Sequence, residues 1–242
     1  MTGTGRSARD GVLAFDDPQV TAEIEAASHI LSSVPPSEDG DPVLARYGDA
    51  VAGRECWLGY LSSTGVYGDC GGAWVDESAP TGKGRRQARS AADKAWQRLA
   101  HAHIFRLPGI YGPGRSPFAR LREGTAQRIS APGQVFSRIH VDDIVGAVLA
   151  AVTAPKPGIY NICDDEPVRA EAVTAYAARL IGIEPPPLVP LENADLSPMA
   201  RGFYAENRRV ANGKMKRDLG YSLRYPDYRS GLGAIRREER QS

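Results

Sequence analysis

The chain has 242 residues, of which 42% are hydrophobic and 24% are charged, and its 30 Lys and Arg nearly balance its 29 Asp and Glu. This composition is typical of a globular protein long enough for one large domain, and the net charge of +1 gives no general field that would attract nucleic acid. No apolar run approaches the roughly 18 residues of a membrane span, and no signal-peptide core follows Met1, so we expect a cytoplasmic protein.

Short apolar runs alternate with helical patterns in the first half of the chain. In chain order we predict a helix at Thr21–Ala27, a strand at His29–Ser33, a helix at Pro42–Ala52, a strand at Trp57–Leu61, a helix at Gln87–Ala100 and a strand at His103–Leu107. The helical stretches place apolar residues three and four positions apart, and the strands end in small or turn-forming residues. Strands that alternate with helices in this way predict βαβ units and a parallel sheet.

The second half of the chain is less regular. We predict a helix at Asp142–Val152, a strand at Gly158–Cys163, a helix at Arg169–Ile181 and a short helix near Lys214–Leu219. The first of these helices begins with two aspartates, which suit the positive end of a helix. The basic segments Lys83–Arg89 and Arg236–Arg240 are interpreted as solvated faces. Cys56, Cys70 and Cys163 have no metal or redox spacing and are expected to be reduced thiols.

Four ordered segments carry a resemblance to a known family. They are Leu61–Gly68 (LSSTGVYG), Phe105–Gly114 (FRLPGIYGPG), Arg138–Ile144 (RIHVDDI) and Tyr160–Pro167 (YNICDDEP), with a weaker fifth at Asn212–Tyr221. This set resembles the extended short-chain dehydrogenases/reductases, also called the NAD-dependent epimerase/dehydratase family. It is most similar to an atypical subgroup with Gly71–Glu77 after the first motif. The resemblance covers nearly the whole chain.

The resemblance implies an α/β fold, a Rossmann-like doubly wound parallel sheet with a small C-terminal substrate lobe. One short-chain dehydrogenase-like domain would span residues 1–242. Residues 1–112 and 140–163 would form the dinucleotide-binding core, and residues 113–139 and 164–229 the substrate lobe. The resemblance further implies an NADP or NAD cofactor, a small carbonyl or nucleotide-sugar-type substrate, and a homodimer paired through the helices near residues 42–52 and 85–100. No nucleic-acid or membrane partner is expected.

One candidate catalytic residue follows from the resemblance. Ser63 occupies the position whose hydroxyl, in the family, hydrogen-bonds the reacting carbonyl or alcohol. A Ser at the end of a strand can also merely cap backbone groups, and the sequence leaves both roles open. In the family this Ser works with a Tyr-x-x-x-Lys pair, in which the Lys lowers the pKa of the Tyr so that it can exchange a proton.

That Tyr–Lys pair is replaced here. When the acidic residue that follows the pair is aligned with Asp93, Arg85 stands at the Tyr position and Arg89 at the Lys position. A guanidinium stays protonated in proteins and cannot act as a general base. Arg89 could still contact a ribose or phosphate oxygen. The usual proton transfer is therefore not predicted for this chain.

Other residues could take the place of the missing acid/base. Tyr67, Tyr111 and His140 are the candidates, and a structural role is favoured for each of them. His101 and His103 alternate along a strand without a third ligand, so no metal site is predicted.

The resemblance also implies a set of cofactor contacts. Arg6 would face the 2′-phosphate of NADP, Asp16 would lie near the adenine, and Ser32 and Ser33 would flank the cofactor after the next strand. The remaining contacts implied are Arg89, Leu107 and Gly109.

The strand–Gly-x-x-Gly-x-x-Gly–helix element that binds the pyrophosphate in such folds is not found in the sequence. In the strand order 3-2-1-4-5-6 the corresponding strand lies in the middle of the sheet. Without this βα unit two strand edges would face each other, and each buried unpaired backbone group costs about 1–3 kcal/mol. We therefore expect poor folding of the chain as written, a βα unit encoded ahead of Met1, and cofactor binding only when the glycine turn is restored.

Two alternatives to an enzyme remain open. Replacement of the pair by Arg85 and Arg89 favours a non-catalytic NADP-binding sensor or interaction scaffold. The other alternative is a truncated gene product without function.

Overall fold

The computed structural model describes residues 1–85, 87–153 and 156–241, so parts of the predicted basic segment 83–89 and of the core segment 140–163 lie outside the described residues. The strands are β1 (Gly3–Gly5), β2 (Val12–Ala14), β3 (His29–Ser32), β4 (Trp57–Ser63), β5 (Trp74–Val75), β6 (Ala102–Leu107), β7 (Gly109–Tyr111), β8 (Arg128–Ser130), β9 (Arg138–His140), β10 (Gly158–Asn161), β11 (Leu188–Pro190) and β12 (Arg209–Val210). The helices are α1 (Gln19–Ala26), α2 (Pro42–Ala52), α3 (Gln87–Trp96), α4 (Phe118–Arg122), α5 (Val141–Thr153), α6 (Ala170–Leu180), α7 (Pro198–Phe203), α8 (Gly213–Asp218) and α9 (Tyr228–Glu239).

The central sheet has the strand order β10-β6-β4-β3, and all of its neighbouring strands are parallel. Helical crossovers connect successive strands, α2 between β3 and β4 and α3 between β4 and β6, which is the connection that a parallel pair requires. Every residue of β6 is buried, as expected of a strand covered on both faces. The predicted Rossmann-like α/β fold is confirmed.

A second sheet contains only β1 and β2, which pair in parallel. No strand of the described chain lies between β1 and β3, and residues of both strands line one cavity of about 710 Å³. The two facing strand edges predicted from the sequence are therefore present, and the cavity lies between them. We call this cavity the β1–β3 slot.

Two apolar cores lie against the central sheet. One contains Tyr60 of β4 and Trp96 of α3, whose rings stack at 5.2 Å with an interplanar angle of 5°. The other packs β6 and β10 against α5 through Phe105, Tyr160 and Ala147. The alternation of side chains along β4 explains the division, because neighbouring residues of a strand point to opposite faces.

A third core joins segments from both halves of the predicted substrate lobe with α9, most of which lies beyond the predicted bounds of the lobe. It contains Phe118 and Leu121 of α4, Ala178 of α6, and Leu232 and Ile235 of α9. This packing agrees with a lobe, whereas the predicted domain boundaries remain a prediction. No helix among the described residues is long and apolar enough to cross a membrane.

Some predicted boundaries were wrong. The helix predicted at Gln87–Ala100 ends at Trp96, and turns bonded from Arg98 to Ala95 and from Leu99 to Trp96 lead the chain into β6. The strand predicted at Gly158–Cys163 ends at Asn161. Helix α9 was not predicted, because its two glycines weaken the helical pattern. In the structure a capping box between Asp227 and Ser230 begins this helix, and Leu232 and Ile235 bury its apolar face.

Candidate functional site

Three of the predicted site residues end neighbouring parallel strands. Ser32 is the last residue of β3, Ser63 of β4 and Leu107 of β6. Ser63 lies opposite Leu107 in the register of the sheet, and Ser32 lies opposite Tyr60. In open α/β sheets, ligands bind at the carboxyl ends of the strands. The structure therefore brings part of the predicted site to the edge of the sheet where a ligand is expected.

The Ser63 side chain makes a backbone contact. Its Oγ accepts a hydrogen bond of 3.1 Å from the Gly65 N–H, which caps the turn that follows β4. This is the capping role left open in the sequence, and the hydroxyl proton is still available for donation to another group. Whether Ser63 also contacts a substrate stays a prediction.

A buried polar network lies beside Ser63 and was not identified from the sequence. Arg106 forms a buried ion pair with Asp93 at 2.8 Å, with side chains that are 2% and 0% exposed. Asp93 also accepts a hydrogen bond from Ser62 Oγ. Arg106 Nη1 donates to Tyr67 Oη at 2.9 Å, and Tyr67 in turn donates to Asn161 Oδ1 at 2.8 Å. The network ties β4, α3, β6 and β10 together directly under the carboxyl ends of the strands.

A signal for this network was present in the sequence. Arg106 interrupts the apolar run of β6, and a charged residue is almost never fully buried unless it is paired. The identity of its partner could not be deduced, because Asp93 lies on a helix and faces β6 only in the folded chain.

Arg85, at the Tyr position of the family's catalytic pair, contacts residues of the segment predicted to form the substrate lobe. Its guanidinium lies 4.8 Å from the centre of the Phe203 ring, and its Nε lies 3.8 Å from Glu206 Oε1. The Arg85 backbone N–H also donates to Glu206 at 2.9 Å. Gly202 provides the space, because a Cβ there would come within 2.4 Å of Arg85 Nη1. Through these contacts, Arg85 holds the loop that precedes α3 against α7 and against the segment that follows α7.

Arg89, at the Lys position, is half-buried one helical turn further along. Its Nη1 lies 3.5 Å from Tyr60 Oη, at the long limit for a hydrogen bond. Burial raises the pKa of Tyr60 to about 12, although the Arg89 charge opposes this shift. Tyr60 is thus held as a neutral phenol in the core and is not a substitute for the missing catalytic Tyr.

The candidate replacements for that Tyr have structural roles. Burial raises the pKa of Tyr67 to about 12, and its hydroxyl is fixed between Arg106 and Asn161. Burial also raises the pKa of Tyr111, whose hydroxyl donates to the Asp227 carbonyl. Neither group is disposed to exchange a proton near neutral pH.

His140 supports the beginning of α5. Its Nδ1 accepts a hydrogen bond of 3.2 Å from the Asp142 N–H, and its ring packs 4.2 Å from that of Tyr225. Burial lowers the pKa of His140, so the neutral imidazole that can accept this bond is favoured. These contacts agree with the structural role favoured from the sequence.

The β1–β3 slot contains part of the predicted cofactor site. Phe15, Ser32 and Ser33 line it. Ser32 is 5% exposed, and its Oγ has no hydrogen-bond partner among the described residues. A buried hydroxyl without a partner is unfavourable, so Ser32 fits a ligand group that would complete its hydrogen bonding. The volume of the slot is in the range of small-molecule sites.

The other predicted cofactor contacts lie apart from the slot lining. Arg6 and Asp16 are exposed next to the ends of β1 and β2. Arg89, Leu107 and Gly109 are not among the residues that line the slot. Of the predicted cofactor contacts, the slot therefore brings together only Ser32 and Ser33, and no glycine turn at a helix N-terminus provides a pyrophosphate site in the described chain.

No metal centre is found in the described part of the chain, where no group of three or more His, Cys, Asp and Glu side chains could hold an ion. His103 is buried, with its Nδ1 3.3 Å from the Leu58 carbonyl, and burial lowers its pKa. It packs against Trp57 as part of the core.

No protein-family model matches the chain. The chain is 35% identical over 143 residues, 54% of its length, to 3-diazoavenalumate denitrifying reductase from a Streptomyces species. It is 31% identical over 183 residues, 74% of its length, to protein YeeZ from Escherichia coli K12. The chain spans only 45% and 62% of the lengths of these two curated relatives.

Solved structures resemble nearly the whole chain. A functionally unknown conserved protein from Silicibacter pomeroyi is 45% identical, with a TM-score of 0.89 and coverage of 98% of this chain and 90% of that one. A human epimerase family protein with NADPH has a TM-score of 0.69 at 17% identity, with coverage of 97% and 90%. The dTDP-glucose 4,6-dehydratase from Bacillus anthracis, in complex with NAD, has a TM-score of 0.69 at 16% identity, with coverage of 98% and 83%.

The strand order and these solved structures thus show the class of fold, which is that of the NAD-dependent epimerases/dehydratases, the extended short-chain dehydrogenase/reductase fold, as the sequence motifs predict. The chain belongs to the same family as the conserved protein from Silicibacter pomeroyi.

Proposed function

We propose that this protein binds NADP(H) across the carboxyl ends of its central strands and acts as an oxidoreductase or epimerase on a small carbonyl or nucleotide-sugar-type compound. The observation that carries the proposal is that Ser32 and Ser63 end neighbouring strands, with Ser32 lining the slot between β1 and β3. The name of the Streptomyces relative supports reductive chemistry, and the human epimerase family protein with NADPH supports the choice of dinucleotide.

In this proposal the chain's residues bind and orient the reactants. Ser32 hydrogen-bonds the adenosine half of the cofactor, and Arg6 pairs with a 2′-phosphate, which is why NADP is preferred over NAD. Ser63 donates a hydrogen bond from its hydroxyl to the oxygen of the substrate. A strand paired with the free edges of β1 and β3, followed by a glycine turn and a helix, would supply the pyrophosphate site and leave Ser32, at the carboxyl end of β3, beside the cofactor. The bound nicotinamide would then supply hydride chemistry.

A second candidate function is supported by Arg85. Arg85 stands where the family has its catalytic Tyr, and it contacts Phe203 and Glu206. At this position the side chain therefore connects the core to the lobe. A non-catalytic NADP-binding sensor would keep the fold. Binding of the cofactor would change the conformation of α7 through the contacts of Arg85. A conformational response of α7 to NADPH would favour this candidate.

The test is a fluorescence titration with NADPH and NADH of the chain alone and of the chain joined to a strand–glycine turn–helix segment. We expect tight binding only with the added segment, and a loss of about tenfold in NADPH affinity, but not NADH affinity, in R6Q. Turnover is then measured with aldehydes, ketones and nucleotide sugars, using S63A and the matched control S222A, an exposed Ser.

The outcomes separate the candidates. Turnover that falls in S63A but not in S222A supports the enzyme. Tight NADPH binding without turnover supports the sensor. A failure of the extended chain to bind either dinucleotide contradicts both.

A homodimer formed through α2 and α3 also remains a proposal. Light scattering of the purified chain tests it, and a monomer would contradict it.

A further inference from the structure

A second cavity lies between α6 and α9. It has a volume of about 620 Å³, and none of the described residues that line it also lines the β1–β3 slot. Among the described residues, ten line the cavity; five of these are arginines and none is Asp or Glu. The arginines are Arg224, Arg229, Arg236, Arg237 and Arg240. We call this cavity the arginine cavity.

Two of these arginines have no acidic partner in the described chain. Arg229 pairs with Glu166, Arg224 lies 3.6 Å from Asp142, and Arg236 lies 3.9 Å from Glu239. No carboxylate of the described residues lies within the 4.0 Å ion-pair distance of Arg237 or Arg240. These two guanidiniums therefore keep their hydrogen-bonding capacity for another anion.

A glycine lies beside Arg237. Gly233 lies on the same face of α9, one turn before Arg237, and a Cβ there would come 3.5 Å from Arg237 Nη1. The Arg237 side chain thus extends across the helix surface at Gly233, and this surface lines the cavity. Tyr176 of α6 and Tyr225 line the same space and add phenolic groups that donate hydrogen bonds.

A simpler interpretation is that the arginines only complement the negative C-terminal end of α9. The helix dipole does favour cations at Arg236 and Arg237, in the last turn, and at Arg240, which follows it. It disfavours a cation in the first turn, where Arg229 lies. The dipole therefore does not explain why arginines from both ends of the helix, and Arg224 from the preceding loop, line one cavity.

We propose that the arginine cavity binds a small, extended polyphosphate anion. Residues 229 to 240 span about 16 Å along the helix, more than one phosphate can contact, whereas a chain of phosphoryl groups can reach several guanidiniums in turn. Guanidiniums pair with phosphate oxygens in bidentate fashion, so Arg is the cation best suited to this ligand. The net charge of +1 and the small volume of the cavity do not fit a nucleic-acid backbone.

The test is calorimetric titration of the full 242-residue chain with tripolyphosphate at about 50 mM and about 200 mM salt. In R237Q/R240Q we expect at least about tenfold weaker binding, because both unpaired guanidiniums are lost. The matched control is R9Q/R98Q, which removes the same charge from two exposed arginines outside the cavity. Here we expect less than about a twofold change.

Thermal unfolding of each variant without ligand shows whether it is folded. A ligand-induced rise in Tm that is present in wild type and R9Q/R98Q, but lost in R237Q/R240Q, would support the proposal. Equal weakening in both double variants would show a general charge effect and overturn it. Absence of tripolyphosphate binding in wild type, or tighter binding of single-stranded DNA at equal phosphate concentration, would also overturn it.

Discussion

Ser32 is a polar side chain that the fold buries without a hydrogen-bond partner among the described residues. Because an unsatisfied hydroxyl in the interior is unfavourable, S32A is expected to raise the free energy of unfolding of the ligand-free protein by about 1 kcal/mol. The same variant is expected to weaken NADPH binding to the extended chain. Urea unfolding and fluorescence titration measure the two effects, with S222A as control. Destabilisation by S32A, or unchanged NADPH affinity, would contradict the ligand role.

Asp164 has a carboxyl group of unusual basicity. Burial raises its pKa to about 8, with the neighbouring Arg138 charge opposing the shift, against an ordinary value of about 4 in an unfolded chain. The folded state therefore holds a proton that the unfolded state releases. The stability that this carboxyl contributes is fully present below about pH 4 and is lost as the pH rises through about 8.

The prediction for Asp164 concerns the difference between D164N and wild type. Since Asn does not titrate, the unfolding free energy of D164N minus that of wild type is expected to rise by about 2–4 kcal/mol between pH 5 and pH 9. Urea unfolding at a series of pH values measures it, and D195N, an exposed carboxylate, is the control with a smaller expected change. A difference that is constant with pH, or that falls, would show that Asp164 is charged in the folded protein.

The sequence identified which residues replace the catalytic Tyr–Lys pair, but it did not identify the contacts that these residues make. Arg85 and Arg89 follow from the motif alignment. Their side chains, however, contact Phe203, Glu206 and Tyr60, and nothing in the local pattern indicates these partners.

At the scale of elements, the turn after β4 packs tightly against the loop before α3. Gly68 has φ +70°, and a Cβ there would come within 2.7 Å of the Lys83 and Gly84 backbone. Gly71 also has positive φ, +58°, but faces open space. A comparison of substitutions at Gly68 and Gly71 therefore separates the cost of the backbone conformation from the cost of the close contact.

G68A is therefore expected to destabilise the protein by about 2–4 kcal/mol, and G71A by only about 1 kcal/mol, because the second variant has the backbone strain without the clash. Chemical denaturation of both variants measures the difference. Equal losses would mean that the contact between the turn and the loop is easily relieved.

The elements themselves were predictable where the hydrophobic period is clear. Helix α2 has its predicted bounds, and Asp41 caps it by accepting hydrogen bonds from the Val43 and Leu44 N–H groups at 3.0 Å. Helices α4, α7 and α9 were missed. The first two are short, and Gly231 and Gly233 interrupt the pattern of α9, so tertiary packing outweighs propensity there.

At the scale of the whole molecule, the split between the two sheets determines how stability is distributed. β4 and β6 are paired along both edges, whereas β1 and β2 form a separate two-stranded sheet of partly exposed residues. We expect amides of β4 and β6 to exchange at least about 100-fold more slowly than those of β1 and β2. Hydrogen exchange followed by mass spectrometry measures this. Equal protection would show that the two sheets unfold as one unit.

The sequence by itself determined the α/β order, the family resemblance and the absence of a glycine turn, because hydrophobic period, strand-end motifs and turn residues are local properties of the chain. Tertiary structure alone decided the β1–β3 slot, the buried Asp93–Arg106 pair, the lobe contact of Arg85 and the arginine cavity. Each of these depends on distant residues meeting, as when the Arg85 backbone donates to Glu206, 121 positions away. No periodicity encodes such a meeting; only the packing of completed helices and strands brings it about.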